Sequence, residues 1–396
     1  MTSHDFVPRV LIVSTNQQSF RPSRRSDRHS LFNLQPQGHS RSNMFRKIVC
    51  TKLSTDFRAA TEIVSIPRST LTVAPGTVLI KNVVVGINAS DINYTNGKYN
   101  PGVQPPFDCG FEGVGHVEEV GAGVKHLRKG DAVVYTLYGA FAEYIVVPIK
   151  FVSKVPFVTA AILPLNVCGL TASIALDVVG EMKSGETVLV TAAAGATGQF
   201  AVQLAKLAGN TVVGTCSSPE KQAYLQSIGC DRAIDYTKED VGAVLSKEFP
   251  RGVDLVFESV GGSLLETCVN HLAKHGRLIV IGSISGYADS SSWSAAAGAT
   301  SPFTATLLSK SASVRGFFLN HFAKSHGAAH ARKLTILVRK RLLNPGLDTA
   351  TFRGLEGVAD AIEYLYARKN IGKLVVHLAD PTTSSSDHMT LPRASL

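Results

Sequence analysis

Apolar positions along the chain change their rhythm near residue 185, and that change divides the sequence. Before it, from Met44 to about Pro156, apolar residues alternate with polar ones or come in short runs, as strands require. The run 78–85 predicts an apolar strand entered through a Pro75-Gly76 turn. Residues 113–120 alternate around Gly115 and close on a turn at Gly121 and Gly123, and 132–135 and 142–147 predict further short strands. Short strands separated by glycine turns predict a barrel or sandwich.

After residue 185, strands alternate with helix-length segments. A strand over 187–191 precedes a glycine turn and a helix over 199–207. A strand over 211–215 precedes a helix over 219–228, and a strand over 253–257 precedes a helix over 263–273 and a further strand over 277–281. That alternation predicts a parallel, doubly wound sheet of the Rossmann kind. Residues 289–301 read as a Ser/Ala-rich loop and 328–343 as a basic amphipathic helix. A last helix over 355–366 leads through Lys369-Asn370 into a closing strand over 373–377. The longest apolar runs are strand-sized, so no span of the roughly 20 residues a membrane requires is expected.

Composition adds a second division. The 396 residues are 44% hydrophobic and 18% charged, which suits two folded domains. The net charge of +10 is concentrated at the start: residues 1–47 hold eight Lys and Arg against two acids. The rest is only mildly basic and shows no basic–aromatic interleaving, so nucleic acid is not an expected partner. Residues 1–43 are Arg- and Ser-rich, as in a mitochondrial transit segment or a disordered extension, and the 382–396 tail is Ser/Thr-rich and expected to be flexible. The C-terminal Arg393-Ala-Ser-Leu396 resembles a Ser-Lys-Leu peroxisomal signal with Ser395 in the basic position. The six cysteines show no CxxC spacing and no secretory signal precedes them, which predicts reduced thiols, a cytoplasmic default and no metal site.

One motif carries chemistry. Val188 to Lys206 reads strand, tight turn Ala192-Ala-Ala-Gly195-Ala-Thr-Gly198, then helix. Gly195 permits close approach to a pyrophosphate, Gly198 lets helix and sheet pack, and the helix N-terminus offers unpaired N–H groups. Ala192 stands at the first of the usual three glycines. Gln199-Phe200 excludes a P-loop, which needs Lys-Ser or Lys-Thr there. The next strand ends in Gly214-Thr-Cys-Ser217-Ser218-Pro-Glu220-Lys221, with no acid at its tip to hold a ribose 2′-hydroxyl. Ser217 and Lys221 suit a 2′-phosphate, so NADPH is the expected cofactor. Ser217, Ser218 and Glu220 also suit a helix cap.

These runs, with Gly276-Arg-Leu-Ile-Val-Ile-Gly282 and Asn88-Ala-Ser-Asp-Ile-Asn-Tyr94-Thr-Asn-Gly-Lys-Tyr99, resemble the medium-chain dehydrogenase/reductase superfamily in its quinone oxidoreductase and enoyl reductase branch. The resemblance covers about Met44 to Leu378. It implies an α/β fold, with a GroES-like β-rich catalytic domain over 44–166, completed by 318–381, and a Rossmann domain over 167–317. It also implies cofactor contacts at Thr197, Ser217, Lys221, Tyr236 and Ser259, then at Ile281, Tyr287, Phe317, Phe318, Leu319 and Asn370. Zinc-dependent members carry Gly-His-Glu where this chain reads Gly110-Phe111-Glu112, and an early cysteine where it reads Ala89-Ser90-Asp91. A catalytic zinc has no cage in that pattern.

The implied reaction is hydride transfer from NADPH to the β-carbon of an α,β-unsaturated ketone with lipid arms, such as a 15-oxo-prostaglandin. A donor near the carbonyl oxygen and a proton for the α-carbon complete it. Tyr99, in a Gly-x-Tyr segment, is the first candidate donor and Tyr94 the second; Asn88 and Asp91 either orient the nicotinamide or stabilise their turn. A quinone oxidoreductase and a cofactor-binding protein without turnover remain as alternatives. The resemblance also implies a homodimer paired through an edge strand near 314–319.

Overall fold

In the computed structural model the described residues are 43–287 and 303–379. The Arg-rich extension, the 289–301 loop and the C-terminal tail fall outside them.

Continuous apolar runs such as Val188-Leu189-Val190 make strands that must be covered on both faces. They form a six-stranded parallel sheet in the order Arg232–Asp235, Thr211–Cys216, Thr187–Val190, Val253–Glu258, Leu272–Val280, Ser313–Gly316. Phe200, Leu204 and Leu334 cover one face; Leu245, Cys268 and Val269 cover the other. The chain starts in the middle of this sheet and winds outward both ways, so strands Thr187–Val190 and Val253–Glu258 flank the switch point. A ligand crevice opens there, beyond the carboxyl ends of the strands.

The structure departs from the sequence expectation in four places. The helix expected over 263–273 is Gly262–Asn270, and the strand after it begins at Leu272 and runs through the polar Lys274-His275-Gly276 to Val280. His275 takes a left-handed φ of 62° there, which accommodates the irregularity. The helix expected over 328–343 is Leu319–Arg339. Its buried stripe includes Ala323, Gly327 and Ala331, whose small side chains carry little hydrophobic signal. Strand Arg232–Asp235 and helix Val241–Glu248 complete a crossover that the pattern did not separate.

The fourth departure concerns the membrane. Helix Ala160–Val179 has the length and apolarity to cross one, against the expectation that no such stretch exists. It is 67% buried inside the protein. Leu170, Ile174 and Leu176 join the core of the parallel sheet. Arg277 and Arg315 bond the Gly180 and Val179 carbonyls at its carboxyl end, at 2.9 and 2.6 Å, where cations are favoured.

The β-rich part contains two sheets. Strands Phe352–Arg353, Val375–His377, Thr77–Gly86, Glu112–Val120, Ala132–Thr136 and Val152–Lys154 follow one another, with Tyr144–Pro148 also paired to Thr77–Gly86. Strands Thr61–Pro67, Met44–Cys50 and Phe107–Asp108 form the second. Gly115 is required where Glu112–Val120 crosses Thr77–Gly86, because a Cβ there would collide with the Lys81 carbonyl. Residues 344–377 return from the parallel sheet to this one: Val376 pairs with Val85, and Gly372 bridges to Gly195 in the glycine turn.

Gly198 packs as the motif demands. A Cβ on it would lie 2.5 Å from the Ala192 carbonyl oxygen and 2.7 Å from the Ala193 Cα. Gly198→Ala is therefore expected to lower stability by about 1–3 kcal/mol in chemical denaturation. At Gly195 the nearest atom is 3.2 Å away, so Gly195→Ala should cost less; equal losses would mean that helix packing is not what Gly198 serves.

Candidate active site

The crevice at the switch point is a cleft of about 780 Å³ lined from both the parallel-sheet part and the β-rich part. One end begins in the glycine turn. Ala192 adopts φ 47°, the left-handed backbone a glycine would supply. Its N–H donates to Thr215 Oγ1 at 3.2 Å. Helix Gly198–Leu207 has no side-chain cap at Thr197; its Gln199 and Phe200 N–H groups bond the Gly195 and Thr197 carbonyls at 3.1 Å, and its positive end points toward the turn. Gly195, Thr197 and Gly198 all line the cleft. With the open side of Gly195, this turn fits the pyrophosphate of a dinucleotide.

Beyond strand Thr211–Cys216 lie Ser217 and Lys221. Lys221 is 9% exposed. Its Nζ donates to the Arg368 carbonyl at 2.7 Å and lies 3.3 Å from Ser217 Oγ. Burial pulls its pKa below the usual lysine range, and an anionic group beside it would restore the charge. Ser218 also caps the following helix, accepting from the Lys221 N–H at 3.3 Å, so the cap reading and the phosphate reading use different atoms. Tyr236 stands at the same end, as does Arg368, a second cation that the sequence did not single out. Lys221 and Arg368 are 147 residues apart, and only the return of the chain brings them together.

The middle of the cleft is formed by strand ends. Ser259 donates its N–H to Thr191 Oγ1 at 2.9 Å. The N–H groups of Ile281 and Phe317 are used within the sheet, by Glu258 O at 2.8 Å and Val280 O at 2.9 Å. Each therefore turns a backbone edge toward the cleft, which both line. Phe318, Leu319 and Asn370 line it too, and Asn370 Nδ2 donates to the Gly372 carbonyl at 3.1 Å.

The far end is aromatic: Tyr99, Phe111, Tyr138, Tyr287 and Tyr366 line it. Burial raises the Tyr99 hydroxyl above the usual tyrosine pKa, so at neutral pH it carries its proton. Its ring meets Phe318 edge-on at 5.8 Å. Tyr94 is placed otherwise. It does not line the cleft; its ring stacks on Tyr138 at 4.4 Å and meets Phe107 and Phe111 edge-on. Tyr94 is a wall behind the wall, and the expectation that it donates a proton is corrected.

Asn88 reaches the cleft, but its amide is committed below it. Its Oδ1 accepts from Lys373 Nζ at 2.7 Å and its Nδ2 donates to Glu112 Oε1 at 3.1 Å. Its N–H donates to Asp91 Oδ2 at 2.8 Å. Asn88 thus links the floor of the cleft to a buried ion pair, and a direct part in the chemistry has no support in this arrangement. Lys373 Nζ lies 2.6 Å from Glu112 Oε1, both side chains being fully buried, and 3.8 Å from Cys168 Sγ. Burial pushes the neighbouring Asp91 carboxyl up to about 8, against the opposing pull of the Asn88 N–H and Lys373.

The same cluster answers whether zinc fits. Among the described residues no three His, Cys, Asp or Glu side chains converge to hold a metal. Glu112 is already paired with an ammonium. The residues present do not fit a catalytic zinc.

Comparison with known proteins agrees with this geometry. Residues 74–157 match the alcohol dehydrogenase GroES-like domain and residues 196–332 the zinc-binding dehydrogenase family. The chain is 47% identical to prostaglandin reductase-3 of Mus musculus, over 88% of this chain and 93% of that protein. It is 43% identical to a probable quinone oxidoreductase of Leishmania amazonensis, over 84% and 98%. Among solved structures it resembles a mycobacterial protein complexed with NADPH, with TM-score 0.72 and 27% identity over 84% of this chain and 99% of that one.

The raised Asp91 carboxyl sets a pH dependence. The folded chain keeps a proton that the unfolded chain releases near pH 4, so this group's contribution worsens as pH rises from about 4 to about 8. Asp91→Asn removes that penalty. The stability difference between Asp91→Asn and the parent should therefore grow in favour of the variant from pH 5 to pH 8 in urea melts. A difference that stays flat, or moves the other way, would place a charge on Asp91.

Proposed function

The chain belongs to the medium-chain dehydrogenase/reductase superfamily, in its quinone oxidoreductase-like branch, and on that premise we propose that it is an NADPH-dependent reductase of the conjugated double bond in α,β-unsaturated ketones, with 15-oxo-prostaglandins as its substrates. One observation carries the reading. A single cleft joins a cation-lined dinucleotide site to an aromatic chamber holding the protonated Tyr99 hydroxyl. When bound, the dihydronicotinamide supplies the hydride for the β-carbon.

The chain's own residues do the rest. The glycine turn and the N-terminus of helix Gly198–Leu207 hold the pyrophosphate. Ser217, Lys221, Tyr236 and Arg368 read the 2′-phosphate. Ser259, Ile281, Tyr287, Phe317, Phe318, Leu319 and Asn370 position the nicotinamide half. The Tyr99 O–H donates toward the carbonyl oxygen, where negative charge develops, and supplies the proton that the α-carbon takes up. The double bond thus gains one hydride and one proton. Phe111 and Tyr138 keep this end apolar, as lipid arms require.

The separation of the two β-rich sheets from the parallel sheet supports a catalytic unit over 44–166, completed by 318–381, and a cofactor unit over 167–317. Helix Leu319–Arg339, inside the stretch assigned to the catalytic unit, packs into the parallel-sheet core. Exposed Val314 on the edge strand Ser313–Gly316 supports a homodimer paired through that edge. Six buried free thiols suit the reducing cytoplasm.

The test mixes the protein with NADPH and 15-oxo-prostaglandin E2, follows cofactor absorbance and weighs the product. A product heavier by two hydrogens at the conjugated bond is expected. Turnover of a quinone control without turnover of the enone would replace the substrate class. Lys221→Ala should weaken NADPH binding about 10- to 100-fold, the worth of a charge-assisted contact, and leave NADH binding nearly unchanged. Equal losses for both cofactors would remove Lys221 from 2′-phosphate recognition.

A further inference from the structure

Tyr138 lines the aromatic end of the cleft from the turn after strand Ala132–Thr136. Its backbone is tied on both sides. The Leu137 N–H donates to the Phe111 carbonyl at 2.8 Å, and the Gly139 N–H to the Gly110 carbonyl at 3.0 Å. Its ring is held by other rings. Tyr94, on helix Asp91–Thr95, stacks on it with centroids 4.4 Å apart and planes 7° from parallel. Tyr94 is itself fixed edge-on against Phe107 at 5.0 Å, and Phe107 is buried in a core of the β-rich part.

The two faces of the Tyr138 ring therefore differ. Tyr94 covers one of them and stays out of the cleft. Phe111 stands 5.2 Å from the Tyr138 centroid and 5.6 Å from that of Tyr94. Those nearly equal distances put Phe111 beside the stack and not over its outer face. Among the described residues no other ring lies against Tyr138. The outer face is thus the broad surface that this residue offers to the cleft. A ring whose plane is set before anything binds loses little freedom on binding, and flat conjugated groups stack on such a face in an offset arrangement. An aliphatic side chain would make the chamber equally apolar but would supply no plane.

We propose that Tyr138, braced from behind by Tyr94, is a stacking platform for the acceptor. It is a specificity-determining residue that favours acceptors with an extended planar π system, aryl enones among them, over enones that carry only alkyl chains. This rests on the reading of the cleft as that of a reductase. A lipid enone lays its short conjugated unit on the platform, and an aryl enone adds a ring to the stacked area. Stacking uses the ring face, so the Tyr138 hydroxyl has no part in it. Tyr94 acts only through Tyr138 and is a positioning residue, whose hydroxyl is dispensable for the same reason.

The experiment compares a pair of ketones of similar size, benzylideneacetone with its aryl ring and hexylideneacetone with an alkyl chain. Binding is measured by calorimetry on the chain loaded with NADP+, which cannot deliver hydride, so the platform is tested whether or not either ketone is reduced. The parent should bind benzylideneacetone more tightly than hexylideneacetone. Tyr138→Leu, at a half-buried position, should raise the Kd for benzylideneacetone about 3- to 10-fold, the worth of an aromatic pair, and leave hexylideneacetone and NADP+ within about twofold. With NADPH, the ratio of kcat/KM for benzylideneacetone to that for hexylideneacetone should fall by the same factor. Tyr138→Phe should keep the preference. Tyr94→Leu should lose part of it and Tyr94→Phe none. In the Tyr94→Leu, Tyr138→Leu double variant the Tyr94 change should subtract nothing further. No preference in the parent, equal or absent Kd changes for the two ketones in Tyr138→Leu, or a Tyr138→Phe as damaging as Tyr138→Leu would each overturn the platform. The expected Kd pattern without reduction of either ketone would instead overturn the enone reading and leave the platform standing.

Discussion

The buried pair of Lys373 and Glu112 is the constraint around which the cleft is organised. Its two charges are out of water, and each must be satisfied by protein. Glu112 opens a strand of the larger β-sheet, Asn88 follows its neighbour strand, and Cys168 comes from the core helix of the parallel sheet. Lys373 sits one residue after Gly372, whose N–H donates to the Ala194 carbonyl at 2.8 Å in the glycine turn. One ammonium therefore locks together the floor of the cleft, the turn that receives phosphates and the seam between the two sheets. Removing one partner would strand the other charge, an event that costs far more than the pair itself contributes.

The pair also explains its neighbours. Burial holds the proton on Asp91, with Glu112 adding to it and the nearby Lys373 only partly opposing it. Asp91 remains beneath the cleft as an acceptor for the Asn88 N–H. The matched charges of the pair leave no room for a divalent metal. A site whose acid is already neutralised and whose other positions are Phe111 and Ser90 has exchanged Lewis-acid chemistry for hydrogen-bond chemistry.

Local chemistry was legible in the sequence; long-range pairing was not. The strand–turn–helix at Val188 to Lys206 is written in adjacent residues, and its glycines sit where that reading requires. The residues named for cofactor contact all line one cleft, although most were named by family likeness and not by pattern. Tyr99 was ranked above Tyr94 on its Gly-x-Tyr segment, and of the two it is Tyr99 that lines the cleft. The short helix Asp91–Thr95 decides which faces the cleft, and five residues carry too little periodicity to show it. Lys373 and Glu112 are 261 residues apart, and no local signal marks a lysine at a strand entrance as a buried ion. Helix Leu319–Arg339 was cut short because its packing face is built of alanine and glycine. Ala192 in a left-handed conformation breaks a local rule where the fold supplies compensation, in the Thr215 bond and the Gly372 bridge beside it.

The two ends of the cleft solve opposite problems, and their distance lets each be solved separately. At the phosphate end, the Lys221 ammonium is anchored by a carbonyl and a hydroxyl and has no carboxylate among its hydrogen-bond partners, so it waits for an anion. Binding there draws on charge and weakens with salt. At the reaction end the described residues in contact with the cleft are mainly aromatic, and burial keeps the tyrosines protonated. A dry chamber strengthens every hydrogen bond aimed at a developing negative charge. It would also penalise a resident cation. Placing Lys221 and Arg368 at the phosphate end, and burying Lys373 in a pair with Glu112, leaves the aromatic end without an unpaired cation.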